Sequence, residues 1–121
     1  IFCAIDRLES LKGIPLKLLA MERFLRRCHE WVGKIVLIQI GISAPERGDD
    51  YHRTRNEVTE LVNRINEMWP GTVQFQECSE SSMKLQQRLA LMRAADIAVV
   101  TPIRDGLNLT PLVSNLLQVP C

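Results

Sequence analysis

The stretch TPIRDGLNL, residues 101–109, joins an apolar run to the start of a helix. Residues 97–100 are apolar and end at a Thr-Pro pair, a pattern typical of a buried strand in a parallel sheet. After the stretch, Thr110 is predicted as a helix N-cap and Pro111 as the first helical residue. Ligands of open α/β sheets bind at the carboxyl ends of strands, and the free N–H groups of a helix start favour anions. The stretch therefore predicts either a ligand-binding turn or an ordinary tight connection between strand and helix.

Strand and helix patterns alternate along the rest of the chain. Strands are predicted at 1–5, within 34–42, at 73–77 and at 97–100, and helices at 15–30, 50–69 and around 85–92. The β-α-β-α-β-α-β-α order predicts an α/β fold, a Rossmann-like parallel sheet with helices on both faces. The G-x-G-x-x-G fingerprint is absent, which disfavours hydride transfer with a nicotinamide cofactor.

Length and composition limit the classes of function. A chain of 121 residues predicts one domain, residues 1–121, and its net charge of +1 gives no reason to expect nucleic acid or a membrane as partner. No apolar run is long enough to span a bilayer. The four cysteines are far apart and form no C-x-x-C pair, so we expect reduced thiols in the cytoplasm and no zinc site.

Two long motifs carry a resemblance to a known family. Residues 101–109 resemble the T-P-L-R-D-G-M-N-L loop of trehalose-6-phosphate synthases, and residues 5–15, IDRLESLKGIP, resemble that family's V-D-R-L-D-Y-x-K-G-x-P. Residues 64–66, RIN, and 93–96, RAAD, also fit in order, so the resemblance covers nearly all of the chain. It implies the donor-nucleotide half of a retaining glucosyltransferase with two Rossmann domains, the GT-B type. The family transfers glucose from UDP-glucose to glucose-6-phosphate in trehalose biosynthesis.

The resemblance also implies roles for individual residues. Arg7 and Lys12 would bind the diphosphate of the sugar nucleotide and stabilise its departure, and Met83 would lie against the nucleotide base. Arg47 would contact the acceptor phosphate. The remaining donor-binding positions, which would hold the glucose hydroxyls and the phosphates, are Asp105, Gly106, Leu107, Asn108 and Leu109.

The residues alone allow plainer interpretations of several of these positions. Arg7 and Lys12 also fit a solvated charged loop, Arg47 an exposed loop, and Met83 a gap-filling core side chain. Ser10 and Glu9 replace the usual Tyr and Asp of the motif. We expect both replacements to be tolerated.

The resemblance further implies a larger protein. The chain opens inside an apolar run and stops just after a predicted helix start, so we expect it to be part of an enzyme whose N-terminal acceptor domain is missing here. The segment alone is then expected to be inactive. No metal or cofactor is expected, because the sequence has no Cys/His cluster and no paired-carboxylate metal motif. The sequence leaves the oligomeric state open, and an oligomer is compatible with it.

One position departs from the family and keeps a second function open. Relatives carry a Glu four residues after Leu109, where it accepts hydrogen bonds from the ribose, and this chain has Val113. With Thr110 as N-cap, a Glu at 113 would also complete a capping box, which Val113 cannot do. The alternative is therefore a synthase-like regulatory subunit that binds a sugar nucleotide or sugar phosphate without turnover. An α/β domain with an unrelated ligand is a third interpretation.

Overall fold

The computed structural model describes residues 1–113. Four strands and three helices alternate along this part of the chain. The strands are β1 (Phe2–Arg7), β2 (Leu37–Ile42), β3 (Val73–Cys78) and β4 (Ile97–Ala98). The helices are α1 (Ile14–Arg27), α2 (Asp49–Met68) and α3 (Leu85–Ala94), with short 3-10 turns at Ser10–Lys12, His29–Trp31 and Pro45–Arg47. A further helix begins at Thr110 and is described up to Val113.

The strands form one parallel sheet in the order β3-β2-β1-β4. In its register, Phe2 pairs with Leu37 and Arg7 with Ile42, while Leu37 also pairs with Val73. Because every strand runs in the same direction, all of their carboxyl ends lie at one edge of the sheet. The predicted α/β fold with a parallel sheet is confirmed.

Helices cover both faces of the sheet, as predicted. α1 and α2 pack on one face around fully buried side chains that include Leu18, Leu37 and Ile65. On the other face, α3 lies against β1. Leu91 of α3 lines a cavity there together with Ile38 of β2. The alternation of side chains along each strand accounts for this division, since successive residues point to opposite faces.

Three sequence predictions about element boundaries are wrong. α1 ends at Arg27 and not at residue 30, because Cys28 leaves the helical conformation and a 3-10 turn follows. β1 continues through Arg7, since its ladder with β2 extends to that residue. β4 has only two residues, and Ile97 is 50% exposed, because within residues 1–113 β4 pairs with β1 alone.

Neither a membrane span nor a metal-binding cluster occurs within residues 1–113. No helix in this range is both long and apolar enough to cross a bilayer. No group of three or more His, Cys, Asp or Glu side chains in this range is arranged to hold a metal ion.

Candidate functional site

The loops after β1 and β4 meet at the carboxyl edge of the sheet. The Lys12 ammonium donates a hydrogen bond to Asp105 Oδ2 at 3.0 Å, and the two side chains are 21% and 25% exposed. Their backbones also join, since the Ile103 N–H donates to the Leu11 carbonyl at 2.8 Å. The predicted placement of Lys12 and Asp105 at one edge of a single parallel sheet is therefore confirmed.

Gly13 allows this close approach of the two loops. Its φ is +68°, in the left-handed region that side chains other than Gly rarely adopt. A Cβ at this position would lie 2.6 Å from the carbonyl oxygen of Thr101. A side chain at residue 13 would therefore both strain the turn that carries Lys12 and push it away from the loop that carries Asp105.

Asp105 is held as a carboxylate by several donors. The hydrogen bond from Lys12 lowers the pKa of Asp105 below its ordinary value, and the Gly106 N–H and the Asn108 amide add to that effect against partial desolvation. The Asn108 amide donates to Oδ2 and the Gly106 N–H to Oδ1, both at 3.0 Å. At neutral pH Asp105 is therefore an ionised acceptor of hydrogen bonds.

The start of the last described helix differs from the prediction. The helix begins at Thr110 itself, and the Val113 N–H donates to the Leu109 carbonyl at 3.1 Å. The Thr110 N–H is satisfied by the side chain of Asn108 at 3.0 Å. Thr110 is therefore not the N-cap, and residue 113 does not occupy the capping-box position.

The loops after β1 and β2 are joined by two crossed ion pairs. Arg7 pairs with Glu46, and Glu9 pairs with Arg47 at 3.0 Å. Each loop thus supplies one cation and one carboxylate to the other. The sequence motifs identified Arg7 and Arg47 as candidates, but they did not reveal that each already has an acidic partner.

A small cavity of about 150 Å³ opens between the end of β1, α3 and the loop after β4. Its lining brings together Arg7, Lys12 and Asn108 from the predicted set with Thr110 and Arg88. The Nε atoms of Arg7 and Arg88 are buried and have no hydrogen-bond partner within residues 1–113. The cavity therefore presents cationic donors, which suit a multiply charged anion.

Asp6 also lines this cavity, but its carboxylate already accepts hydrogen bonds from two side chains. Lys17 donates to Asp6 Oδ2 at 2.6 Å, and Gln39 donates to the same oxygen at 3.1 Å. All three side chains are buried. No motif pointed to this network, because its members come from β1, β2 and α1 and only the fold brings them together.

Met83 lies apart from the cavity between the loops. It lines a second cavity of about 340 Å³ beneath α3, with Ser82, Gln76 and Gln87 among the polar side chains around it. The Met83 sulfur is 3.9 Å from that of Cys78, which is the last residue of β3. Met83 is therefore partly buried near the same edge of the sheet, beside space that a flat ring could enter.

Comparison with known proteins gives the family of this chain. The sequence profile described as glycosyltransferase family 20 matches residues 1–114. The chain belongs to glycosyltransferase family 20. A family 20 relative, the UDP-forming alpha,alpha-trehalose-phosphate synthase of Pichia angusta, is 45% identical over 109 residues, which are 87% of this chain. The chain spans only 22% of that relative's length.

Solved structures agree with this placement in family 20. A UDP-forming alpha,alpha-trehalose-phosphate synthase from Burkholderia xenovorans superposes on 98% of the chain with a TM-score of 0.89 and 27% identity, over 27% of its own length. The N-terminal domain of a Candida albicans trehalose-6-phosphate phosphatase covers 97% of the chain with a TM-score of 0.84 and 30% identity, over 25% of its own length. The chain therefore has the GT-B half-domain fold predicted from its sequence.

The family 20 loop that follows β4 is open on its outer side. Leu107 is 86% exposed and Leu109 is 57% exposed, whereas Asn108 is partly buried beneath them. Gly106 is exposed as well, with space around its α-carbon. Apart from Asp105 and Asn108, the predicted donor-binding residues of this loop thus offer backbone and apolar surface rather than side-chain hydrogen bonds.

A second cluster that the sequence did not reveal is centred on Glu77, near the end of β3. Glu77 accepts hydrogen bonds from Ser43 at 2.8 Å, from Arg55 at 2.6 Å and from the Tyr51 hydroxyl. Burial disfavours the charged form, but the hydrogen bonds from Tyr51, Arg55 and Ser43 outweigh it and hold the pKa of Glu77 below its ordinary value. The cluster fixes the start of α2, beside the loop that carries Arg47.

Proposed function

We propose that this chain is the donor-nucleotide-binding domain of a UDP-forming trehalose-phosphate synthase. The full-length protein would transfer glucose from UDP-glucose to glucose-6-phosphate, which gives trehalose-6-phosphate and UDP. The observation that supports this most directly is the contact between Lys12 and Asp105 beside a cavity that Arg7 also lines. The name of the Pichia angusta relative supports the same class of reaction.

The reaction requires stabilisation of a departing diphosphate. The bond between C1 of glucose and the phosphate oxygen breaks, and its electron pair stays on the diphosphate. A hydroxyl oxygen of the acceptor sugar bonds to C1, and its proton passes to the departing diphosphate. Cations fixed beside the departing oxygens lower the barrier, because they act on charge that develops only in the transition state. Arg7 and Lys12 supply these cations in our proposal. Asp105 now neutralises Lys12, so the incoming diphosphate competes with it for the ammonium.

Asp105 would hold the sugar and not act as an acid. Its lowered pKa keeps it ionised near neutral pH, so it can accept hydrogen bonds from hydroxyl groups but cannot donate a proton. The backbone of Gly106–Leu109 leads into the helix that begins at Thr110. The absence of a Cβ at Gly106 lets a ligand approach this backbone closely.

Base and acceptor contacts complete the proposal. Met83 would pack its thioether against the nucleotide base from the cavity beneath α3. Arg47 would contact the acceptor phosphate from a side chain that is 55% exposed and held by Glu9. Both assignments rest on the family's pattern together with these positions.

The domain would be one part of a larger cytoplasmic protein. Residues 1–121 would form one nucleotide-sugar-binding domain, and the acceptor site would come from another domain of the same protein. A cytoplasmic location is supported by the free thiols of Cys3, Cys28 and Cys78, because oxidising compartments favour disulfides.

The second candidate is a synthase-like subunit without turnover. Val113 favours it, because an aliphatic side chain cannot accept hydrogen bonds from a ribose. A protein named as a phosphatase carries an N-terminal domain with this fold, so the fold is not restricted to proteins named as synthases. Trehalose-6-phosphate formation by the full-length protein would favour the enzyme, and nucleotide binding without turnover would favour the subunit.

Calorimetric titration of the chain with UDP-glucose, UDP and ADP tests the proposal. We expect saturable binding of UDP-glucose and UDP, weaker binding of ADP, and no formation of trehalose-6-phosphate by this chain alone. Equal affinity for ADP and UDP, or no binding of either, would contradict the assignment of a uridine nucleotide donor. Turnover by the purified chain would contradict the need for a second domain.

A further inference from the structure

Arg88 is a partly buried cation that no sequence motif singled out. It lies on α3, and its backbone N–H donates to the Lys84 carbonyl at 3.2 Å. The side-chain Nε is buried and has no hydrogen-bond partner within residues 1–113. A buried donor of a charged group that has no partner costs free energy. A bound ligand with an acceptor atom at this position would remove that cost.

The cavity that Arg88 lines has a second arginine whose Nε is buried and has no hydrogen-bond partner within residues 1–113. Arg7 reaches this cavity from the end of β1, and its Nε is also buried and unpartnered within the described residues. Lys12 adds a third cation to the lining, and Asp6 is the one acidic side chain that residues 1–113 contribute to it. Asp6 already accepts a hydrogen bond from Lys17, so the charge that faces the cavity is mainly positive.

Ion pairing distinguishes Arg88 from the other two cations. Glu46 is paired with Arg7, and Asp105 with Lys12. Within residues 1–113, Arg88 has no ion pair among the contacts up to 4.0 Å. Thr110, at the start of the last described helix, lines the same cavity and is uncharged.

We propose that Arg88 is a ligand of the diphosphate group of the sugar nucleotide, acting with Arg7, which lines the same cavity. A guanidinium fork matches two phosphate oxygens at once, which an ammonium cannot do. Two forks with unsatisfied Nε donors and one ammonium suit two linked phosphates better than a single carboxylate. This inference rests on the proposed function, since it concerns the same donor site.

Binding measurements on the whole 121-residue chain test the role of Arg88. The variants are Arg88→Gln, which removes the charge, and Arg88→Lys, which keeps the charge but loses the fork. Arg93→Gln is the matched control, because Arg93 lies on the same helix and is exposed. The probes are UDP, uridine and inorganic pyrophosphate, titrated by calorimetry after thermal unfolding shows that each variant is folded.

We expect Arg88→Gln to weaken the binding of UDP and pyrophosphate at least tenfold and to leave uridine affinity unchanged. Arg88→Lys should lie between Arg88→Gln and the parent, and Arg93→Gln should match the parent. An equal loss of uridine binding would assign Arg88 a structural role and overturn the proposal. If Arg88→Gln does not fold, Arg88→Lys decides, and parental UDP affinity in that variant would overturn the bidentate role.

The outcomes separate this inference from the proposed function. If the parent binds UDP and Arg88→Gln binds it within twofold as tightly, the role of Arg88 is wrong and the donor site stands. If pyrophosphate binding depends on Arg88 but UDP binds no better than ADP, Arg88 is an anion ligand and the uridine nucleotide assignment fails. If the parent binds neither UDP nor pyrophosphate, both proposals are overturned.

Discussion

Lys12 Nζ lies 3.0 Å from Asp105 Oδ2, and this contact joins residues that are 93 positions apart in the chain. The pair lies where the turn after β1 meets the loop after β4. Each residue belongs to a different one of the two sequence motifs. The contact therefore brings the two motifs together in one site. In the sequence they were linked only by their shared resemblance to one family.

The first prediction concerns Lys12→Ala in the full-length protein, which we propose is a glucosyltransferase. We expect turnover to fall by about 100- to 1,000-fold, because one donor aimed at developing charge is worth roughly 2.7–4 kcal/mol. The free energy of unfolding should change by less than about 1 kcal/mol, since the ion pair with Asp105 is partly exposed. Steady-state kinetics and urea unfolding measure the two effects.

Lys34→Ala is the control for Lys12→Ala, because Lys34 is exposed. It should leave both turnover and stability near the parent values. If Lys12→Ala has the turnover of the parent, Lys12 is only a solvated charge of the loop and does not act on the diphosphate.

The second prediction concerns Gly13→Ala. The added Cβ would lie 2.6 Å from the Thr101 carbonyl, and φ is +68°. We expect a loss of about 1–3 kcal/mol of stability from the strained backbone, with further loss from the contact, and weaker UDP binding because the two loops separate. Urea unfolding and calorimetry measure these effects.

Gly71→Ala separates the backbone strain from the steric clash. Gly71 has a similar φ of +76° but no atom within 4 Å of an added Cβ. It should lose only the backbone contribution and should bind UDP as the parent does. Equal stability losses in the two variants would show that the approach of Gly13 to Thr101 is not a constraint.

The third prediction concerns Val113→Glu. A carboxylate in the first turn of the helix that begins at Thr110 could accept hydrogen bonds from ribose hydroxyls and would favour the positive end of the helix dipole. We expect UDP affinity to rise by roughly 1–3 kcal/mol, the scale of a hydrogen bond to a charged group. Titration with uridine should show a gain as well, because the ribose is common to both ligands.

Val113→Gln is the control that keeps the shape of the Glu side chain without its charge. Its gain should be smaller than that of Val113→Glu. Tight UDP binding by the parent, or no gain in Val113→Glu, would mean that position 113 does not contact the ribose in this protein.

The fourth prediction concerns the acid stability that Glu77 provides. Its pKa is lower in the folded than in the unfolded chain, so its contribution is present above the ordinary pKa and is lost as the pH falls through the folded value. We expect Glu77→Gln to be about 1–3 kcal/mol less stable at pH 7, the scale of hydrogen bonds to a charged group. Below about pH 4.5 the difference should shrink.

Urea unfolding of parent and Glu77→Gln between pH 3 and 7 measures this difference. Glu57→Gln is a suitable control, because Glu57 lies on the exposed side of α2. A stability difference for Glu77→Gln that stays constant over the whole range would argue against a role for its charge.

The fifth prediction concerns Cys3 at alkaline pH. Burial raises the pKa of the Cys3 thiol from 9.0 to about 11, and nearby Lys17 only partly opposes this. A raised pKa means that the contribution is complete below pH 9 and is lost as the pH rises towards 11. We expect the parent to lose stability over this window by more than Cys3→Ala does.

Reaction with a thiol reagent gives an independent measure of Cys3. Cys28 and Cys78 are partly exposed and should react quickly at pH 8, whereas Cys3 should react only after the chain opens. Rapid modification of Cys3 in the folded chain would contradict its burial.

The sequence predicted the order of the elements because strands and helices have different apolar periods. It also predicted that residues 101–109 and 5–15 would share an edge, since the carboxyl ends of parallel strands meet there. The sequence predicted Thr110 as the N-cap, but in the structure Thr110 is already helical and its N–H donates to the Asn108 side chain. Helix-capping preferences alone cannot decide between Asn108 and Thr110, because both residue types are common at helix starts.

The ion-pair partners of the charged residues could not be predicted from the sequence. Arg7 pairs with Glu46 across two loops, and Lys17 reaches Asp6 from a different element. Arg88 occupies a position on α3 that amphipathic spacing treats as one more surface charge. Only the packing of α3 over the sheet brings it to a cavity, so no local pattern could identify it.

The crossed ion pairs of Arg7 with Glu46 and of Glu9 with Arg47 have a consequence for selectivity. The two arginines carry their own counter-anions, so a phosphate that enters must exchange for a carboxylate rather than simply add to a bare cation. A monoanion gains little from such an exchange, because it replaces one negative charge by another. A ligand with several charges gains more, so these two ion pairs favour a multiply charged ligand over a small monoanion such as chloride.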